Sequence, residues 1–438
     1  MGSRAFAAVT AVVSLVAGAW GTPASAIPRA TTIRVSATPA GGPPDNFSNE
    51  PAISANGRYV AFTSAASDLV RRDTNGAWDV FVRDVRTGVI SRVSLSETGA
   101  QLDGASYQPA ISGDGRYIAF LSFATNVIAG DPNPTGNIFL HDRRTGSTVR
   151  IPPAGEGAPY APYADSPSIS RDGRVIAFSS RNAVLPGDTN DTSDVFVWRR
   201  GTARIEQVSV SSQGHPGDAE SYDAAVSADG RYVAFTSNSG NLATDGATGQ
   251  WQIHLRDLRT RTTTMVSRSS SGVPANGESN VGGVSAGGRY VLFTSSASNL
   301  VPGDVNDVPD VFLRDRRLGT TRRVSVSRTG QQLSMGSGQA ALSATGRYAA
   351  FVSPDPTIVA GDTNELADVF VRDLRTGRNT RASLPASGGQ ADSDSHDPAI
   401  DAHGHRVAFV SSATNLLPDP ARGIEAVYLR SYSGDAPR

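Results

Sequence analysis

The chain has 438 residues and a formal net charge of −1, with 41 acidic residues against 40 basic ones, all of them arginine. That balance gives no reason to expect a nucleic-acid partner. There is no cysteine, which excludes disulfides, thiolate metal sites and cysteine nucleophiles, and 45 glycines with 26 prolines indicate the turn density of an all-β chain.

The N-terminus reads as a leader. Met1 to Arg4 is a short positive segment, Ala5 to Trp20 an apolar run, and Thr22 to Ala26 ends in a small-x-small pattern before Ile27. Cleavage is expected after Ala26, giving an exported, secreted or periplasmic protein. The apolar run is short for a membrane span, so none is expected after cleavage.

From Pro51 to Leu95 the sequence reads PAISANGRYVAFTS, a polar loop, and DVFVRDVRTGVISRVSL. This unit returns six more times. Its GRYVAF-type glycine falls at Gly57, Gly115, Gly173, Gly230, Gly288, Gly346 and Gly404, in steps of 58, 58, 57, 58, 58 and 58 residues. A fixed period of this kind marks a repeat architecture. Each copy resolves into four strand signals, in the first copy Ala52–Ser54, Arg58–Ser64, Asp79–Asp84 and Ile90–Leu95. Glycines in the short turns supply the positive φ that hairpins need.

Such a sheet cannot bury both faces alone, but seven stacked radially can, which predicts an all-β, seven-bladed propeller over residues 31–431 with a short tail at 432–438. Blades are expected to start near 51, 109, 167, 224, 282, 340 and 398. The last copy lacks its fourth strand, and Thr32-Ile-Arg-Val-Ser36 matches the fourth strands of other copies. The N-terminal strand is therefore expected to complete the seventh blade. The pattern SxDGRYxAFxS followed by DVFVxD resembles the TolB-type propeller repeat of exported bacterial proteins. The resemblance implies a binding or interaction scaffold and does not imply a ligand.

With strands lettered A to D, the D–A and B–C loops share one propeller face, and these are the long polar loops. That face is expected to carry function. The B–C loop holds D-x-N-x-x-x-D as Asp73, Asn75 and Asp79, as Asp188, Asn190 and Asp194, as Asp304, Asn306 and Asp310, and as Asp362, Asn364 and Asp368. Three oxygen side chains on one loop suit Ca²⁺. They equally suit Asx-turns and loop caps, so two readings, calcium site and structural turn, stay open.

The D–A loops repeat D/N-x-x-S before strand A. The pairs are Asp45 and Ser48, Asp103 and Ser106, Asp218 and Ser221, Asn276 and Ser279, and Asp392 and Ser395, with Ser334 and Ser337 in the sixth copy. They are expected to ring the channel mouth and to bind a ligand there. Further acids gather nearby: Glu50, Asp165, Glu220, Asp223, Glu278, Asp394 and Asp397. Arginines gather at the opposite turns, among them Arg58, Arg116, Arg231, Arg289 and Arg347. An acidic mouth over a basic underside would attract cations or a basic peptide.

Gly283-Val-Ser285-Ala-Gly287 fits the G-x-S-x-G string, but a strand follows it where a nucleophile elbow needs a helix. His403 and His405 sit in one tight turn, with His396 at the other end of strand A. His254 and His141 replace a valine and an arginine of the repeat. No isolated catalytic constellation emerges. The expectation is a non-catalytic, monomeric binding module for a protein or cell-envelope ligand, with no certain cofactor. The competing classes are a polysaccharide- or glycoconjugate-acting hydrolase or lyase, and a calcium-stabilised surface protein.

Overall fold

The computed structural model describes residues 30–130, 135–151, 164–181, 184–185, 190, 192–243, 249–419 and 423–432. They form 28 strands in seven four-stranded antiparallel sheets. Blade 1 contains A (Ser48–Ile53), B (Tyr59–Ser64), C (Asp79–Asp84) and D (Ile90–Arg92). Strand A opens the later blades at Ser106, Ala164, Ser221, Ser279, Gly338 and Ser395. Blades thus begin about three residues before the positions expected from the repeat.

The early start has a local cause. In blade 1, Ser48 and Asn49 pair with Ser64 and Thr63, the register then shifts, and Ala52 and Ile53 resume against Ala61 and Val60. The skipped residues are Glu50 and Pro51. A bulge is one of the few places where a strand accepts proline, which has no N–H for the ladder.

The ring closes as expected. Thr31–Arg34 forms strand D of blade 7, with Ile33 opposite Leu429 and Arg34 opposite Tyr428. Val35 N continues the ladder to the Val427 carbonyl at 2.7 Å.

The core lies between blades. Val80 and Val82 of blade 1 pack on Ile118 and Phe120 of blade 2, and Val60 and Phe62 pack on Val410 and Val427 of blade 7. Within a blade, strands B and C stack one aromatic pair, Phe62–Phe81 at 5.8 Å and Phe293–Phe312 at 5.8 Å. In blade 4, His254 takes the place of that phenylalanine, not of a valine, and stacks on Phe235 at 5.7 Å.

Candidate functional site at the axial channel

The third residue of strand A, the second in the shorter strand of blade 6, is where the seven blades converge. Glu50, Gln108, Ser166, Asp223, Gln339 and Asp397 all hold φ between 42° and 53°. Val281 takes this place in blade 5, where the bulge passes to Gly283 at φ 141°. A non-glycine residue in the left-handed region costs about 1–2 kcal/mol, and six of them at equivalent positions need a compensating force. Part of it is visible. The Glu50 carboxylate accepts the Gln108 N–H at 2.7 Å and the Thr63 hydroxyl at 2.8 Å. The Gln108 side chain accepts the Ser166 N–H at 2.9 Å, and Gln339 accepts the Asp397 N–H at 3.1 Å. Each side chain thus reaches the backbone of the next blade.

Six of these seven positions, Glu50, Gln108, Ser166, Val281, Gln339 and Asp397, line an axial cavity of about 500 Å³ together with the bulge prolines. The seven ring residues include three carboxylates and no basic residue. Burial pushes the Asp165 carboxyl up to about 6, reinforced by the neighbouring Asp223 charge. Asp223 reaches solvent, yet desolvation by the surrounding protein raises its carboxyl too. His396 lies 3.4 Å from Asp397 and 3.2 Å from Glu425, and the bond to Asp397 raises it above the usual imidazole range despite burial.

The residues expected to bind ligand stand elsewhere. Ser48, Ser106, Ser221, Ser279 and Ser395 are 0 % exposed, and Ser337 is 4 % exposed. The first five hydroxyls pair with a serine on strand B, Ser48 with Ser64 at 2.9 Å and Ser395 with Ser411 at 3.0 Å. They close the strand pair. Asp45 accepts the Ser67 N–H at 2.8 Å, Asp103 the Thr125 N–H at 2.8 Å and Asp392 the Thr414 N–H at 2.7 Å. Asp218 and Asn276 do the same for Gly240 and Ser298. This clasp ties the D–A loop to the turn after strand B, and none of its members lines the axial cavity. Sequence reasoning placed Glu50, Asp223 and Asp397 near the mouth but did not see that they belong to one position recurring every 57 or 58 residues, which defines the ring. The bulge proline was the available signal.

The D-x-N-x-x-x-D loops hold an arginine where the calcium reading places the ion. Arg92 lies 2.9 Å from Asp79 and 3.3 Å from Asp73. Arg323 bridges Asp304 and Asp310, at 2.9 and 3.0 Å, and Arg381 bridges Asp362 and Asp368, at 3.0 and 2.7 Å. The Asn75 amide donates to Asp79 at 3.2 Å and to the Leu102 carbonyl at 3.0 Å, and Asn306 and Asn364 likewise donate to Leu333 and Ala391. In these three loops the carboxylates are already neutralised by an arginine of their own chain. In the fourth, Asn190 donates to Asp194 at 3.3 Å, Asp194 accepts the Ser209 hydroxyl, and Asp188 lies outside the described residues. Among the described residues no group of three or more histidines, aspartates or glutamates is placed to hold a metal ion.

Five arginines of the underside are each paired with an aspartate at the end of strand C. Arg58 meets Asp84 at 2.6 Å, Arg116 meets Asp142 at 2.5 Å, and Arg231, Arg289 and Arg347 repeat the pair with Asp257, Asp315 and Asp373. The hydrogen bond from the arginine holds the Asp84 and Asp142 carboxyls down at about 2. Ser285 of the G-x-S-x-G string is 4 % exposed and accepts the Tyr290 N–H, so it caps a turn into a strand. His403 and His405 stack on each other at 5.8 Å, with both backbone N–H groups donating to Asp401.

Comparison with known proteins defines a class by fold. The chain resembles an oligogalacturonate lyase in complex with manganese, with a TM-score of 0.54 and 12% identity, covering 93% of this chain and 96% of that one. It also resembles the Pyrococcus horikoshii acylaminoacyl peptidase, with a TM-score of 0.52 and 12% identity over 89% of this chain. It spans about half, 52%, of that peptidase's length. A putative TolB from Agrobacterium tumefaciens matches at 16% identity and a TM-score of 0.42, over 80% of this chain and 96% of that one. No family model matches the sequence, and no curated protein matches it. At such identities the likeness is one of fold alone.

Proposed function

We propose that this protein is an exported, non-catalytic binding scaffold that holds a basic segment of a protein partner at the acidic mouth of its axial channel. The observation that carries this reading is the ring of bulge residues: seven equivalent positions, three of them carboxylates, of which six, with Glu50 and Asp397 among them, line a cavity of about 500 Å³. Low-dielectric walls around one sign of charge focus the field and concentrate counter-charged ligands. The export part rests on the leader-like sequence of residues 1–26, outside the described residues.

A labelled hexalysine peptide tests it by fluorescence anisotropy. Binding should weaken steeply between low and physiological salt and be lost in the variant carrying Glu50→Gln, Asp223→Asn and Asp397→Asn. Salt-independent binding, or binding unchanged in that variant, would overturn the reading. The hydrolase or lyase reading has one observation in its favour, the raised Asp165 carboxyl, which would suit a general acid. Turnover of a glycan panel that Asp165→Asn abolishes would establish it instead.

A further inference from the structure

The residue just before each ring position recurs with the same period. It is neutral or acidic in blades 1 to 6, with Asn49, Asp165 and Asn280 among its occupants, and it is His396 in blade 7. Of the residues in these two sets, His396 alone can take up a positive charge near neutral pH.

The fold places its imidazole between two carboxylates. Nδ1 lies 3.4 Å from Asp397, and Nε2 lies 3.2 Å from Glu425, the residue before strand C of the same blade. Asp397 lines the axial cavity. Among the described residues neither carboxylate forms another ion pair. Glu50, by contrast, spends its carboxylate on the Gln108 N–H and the Thr63 hydroxyl. The imidazole is 28 % exposed, so it exchanges protons with water.

Its other neighbours leave the charge balance to these acids. Val410 stands opposite it on strand B, and strands B and C of blade 6 meet blade 7 through Val352 and Val369. Strand A of blade 6 contributes the neutral Gln339, which accepts the Asp397 N–H, and strand A of blade 1 brings Glu50. Asp394, two residues upstream, accepts the Ala367 N–H. The charges that act most directly on the imidazole, Asp397 and Glu425, both favour its protonated form.

We propose that His396 is a built-in competitor for the basic segment: as imidazolium it holds Asp397 and Glu425, and on losing its proton it leaves both carboxylates to the partner. The mouth then captures a basic segment as pH rises and releases it as pH falls. Capture sends one proton from the imidazolium to water, and an ammonium of the segment replaces that charge beside the carboxylates. A bound cation in turn opposes protonation of the imidazole. The device rests on the reading of the mouth as a receptor for a basic segment.

The test uses labelled, N-acetylated hexalysine amide, whose charge is constant across the range, read by anisotropy at about pH 6.5 and about pH 8.5. One unit charge removed a few ångströms from the peptide should tighten binding by about three- to tenfold at the higher pH. His396→Gln should bind at the lower pH as tightly as the parent does at the higher, and His396→Lys should bind weakly at both. Asp165→Asn, which removes a carboxyl lying at about 6, should keep the step. In the parent protein the His396 ring-proton resonances should titrate at lower pH with the peptide bound. Equal affinity at the two pH values, a step that survives in His396→Gln, or a His396 titration that the peptide does not move overturns the switch and leaves the receptor standing. Failure of the peptide to bind at either pH overturns the receptor reading and the switch with it.

Discussion

Gly288→Ala should destabilise the protein by about 2–5 kcal/mol, and its neighbour provides the control. Gly288 sits in the A–B turn of blade 5 at φ +66°, where an alanine loses about 1–2 kcal/mol to backbone strain. An added Cβ would stand 2.4 Å from Cδ2 of Tyr232 on the preceding blade. That ring is 9 % exposed and cannot retreat, because Arg231 and Arg316 flank it at 4.7 and 5.2 Å from its centroid. Overpacking of this kind costs typically about 1–3 kcal/mol. Gly287 has no positive φ, and its Cβ would meet nothing within 4 Å. Gly287→Ala should therefore change stability by no more than about 0.5 kcal/mol. Urea unfolding of both variants, and of Gly288→Ala combined with Tyr232→Ala, completes the assay. The double variant should recover the steric part but not the strain, giving a coupling of about 1 kcal/mol or more. If Gly288→Ala and Gly287→Ala unfold at the same urea concentration, blade-to-blade contact at this turn is not what the geometry indicates.

Acid should act through the underside pairs. The Asp84 and Asp142 carboxyls are held at about 2, below the usual 3.8, so their contribution is complete above pH 4 and is lost as pH falls toward 2. Asp84→Asn should flatten that part of the stability–pH curve. Asp165 has the opposite sign. Its carboxyl at about 6 lies above 3.8, so its contribution to stability declines as pH rises from about 4 to 6. Asp165→Asn should remove this decline and unfold later than the parent at pH 7, read by thermal denaturation at both pH values. Calcium should leave the urea curve of the protein unshifted, because Arg92, Arg323 and Arg381 already occupy three of the loops; a gain approaching 2.7 kcal/mol, expected at 100-fold excess over Kd, would show an open site. Val35→Asp, at a 0 % exposed position on the closing strand, should cost at least about 3 kcal/mol in the same urea assay by burying an unpaired carboxylate.

Blade number and ring closure were legible in the sequence because both depend on strict spacing. The glycines recur every 57 or 58 residues, and Thr32–Ser36 matches the strand that the last copy lacks. The start of strand A was read four residues late, at Ala52 instead of Ser48, because Pro51 interrupts the alternation that marks a strand, whereas the bulge accommodates it. The same bulge hid the ring: Glu50 and Gln108 read as loop residues until the positive φ shows them converging on the axis. The D-x-N-x-x-x-D motif hid its pairing for a different reason. Its neutralising arginine lies 13 residues past Asp79, on strand D, and nothing local announces the pairing. The partner of Arg58, 26 residues away at the end of strand C, escaped notice for the same reason.

Because each apolar cluster draws its members from two adjacent blades, no single blade owns a core. Val60 and Phe62 shelter against the blade that contains the chain's other end, so the seam where the circle shuts is packed like every other joint. Such a wheel has no natural fracture line. Prising out one wedge would wet two neighbours at once, and the loss would spread around the circumference rather than stop at a domain border.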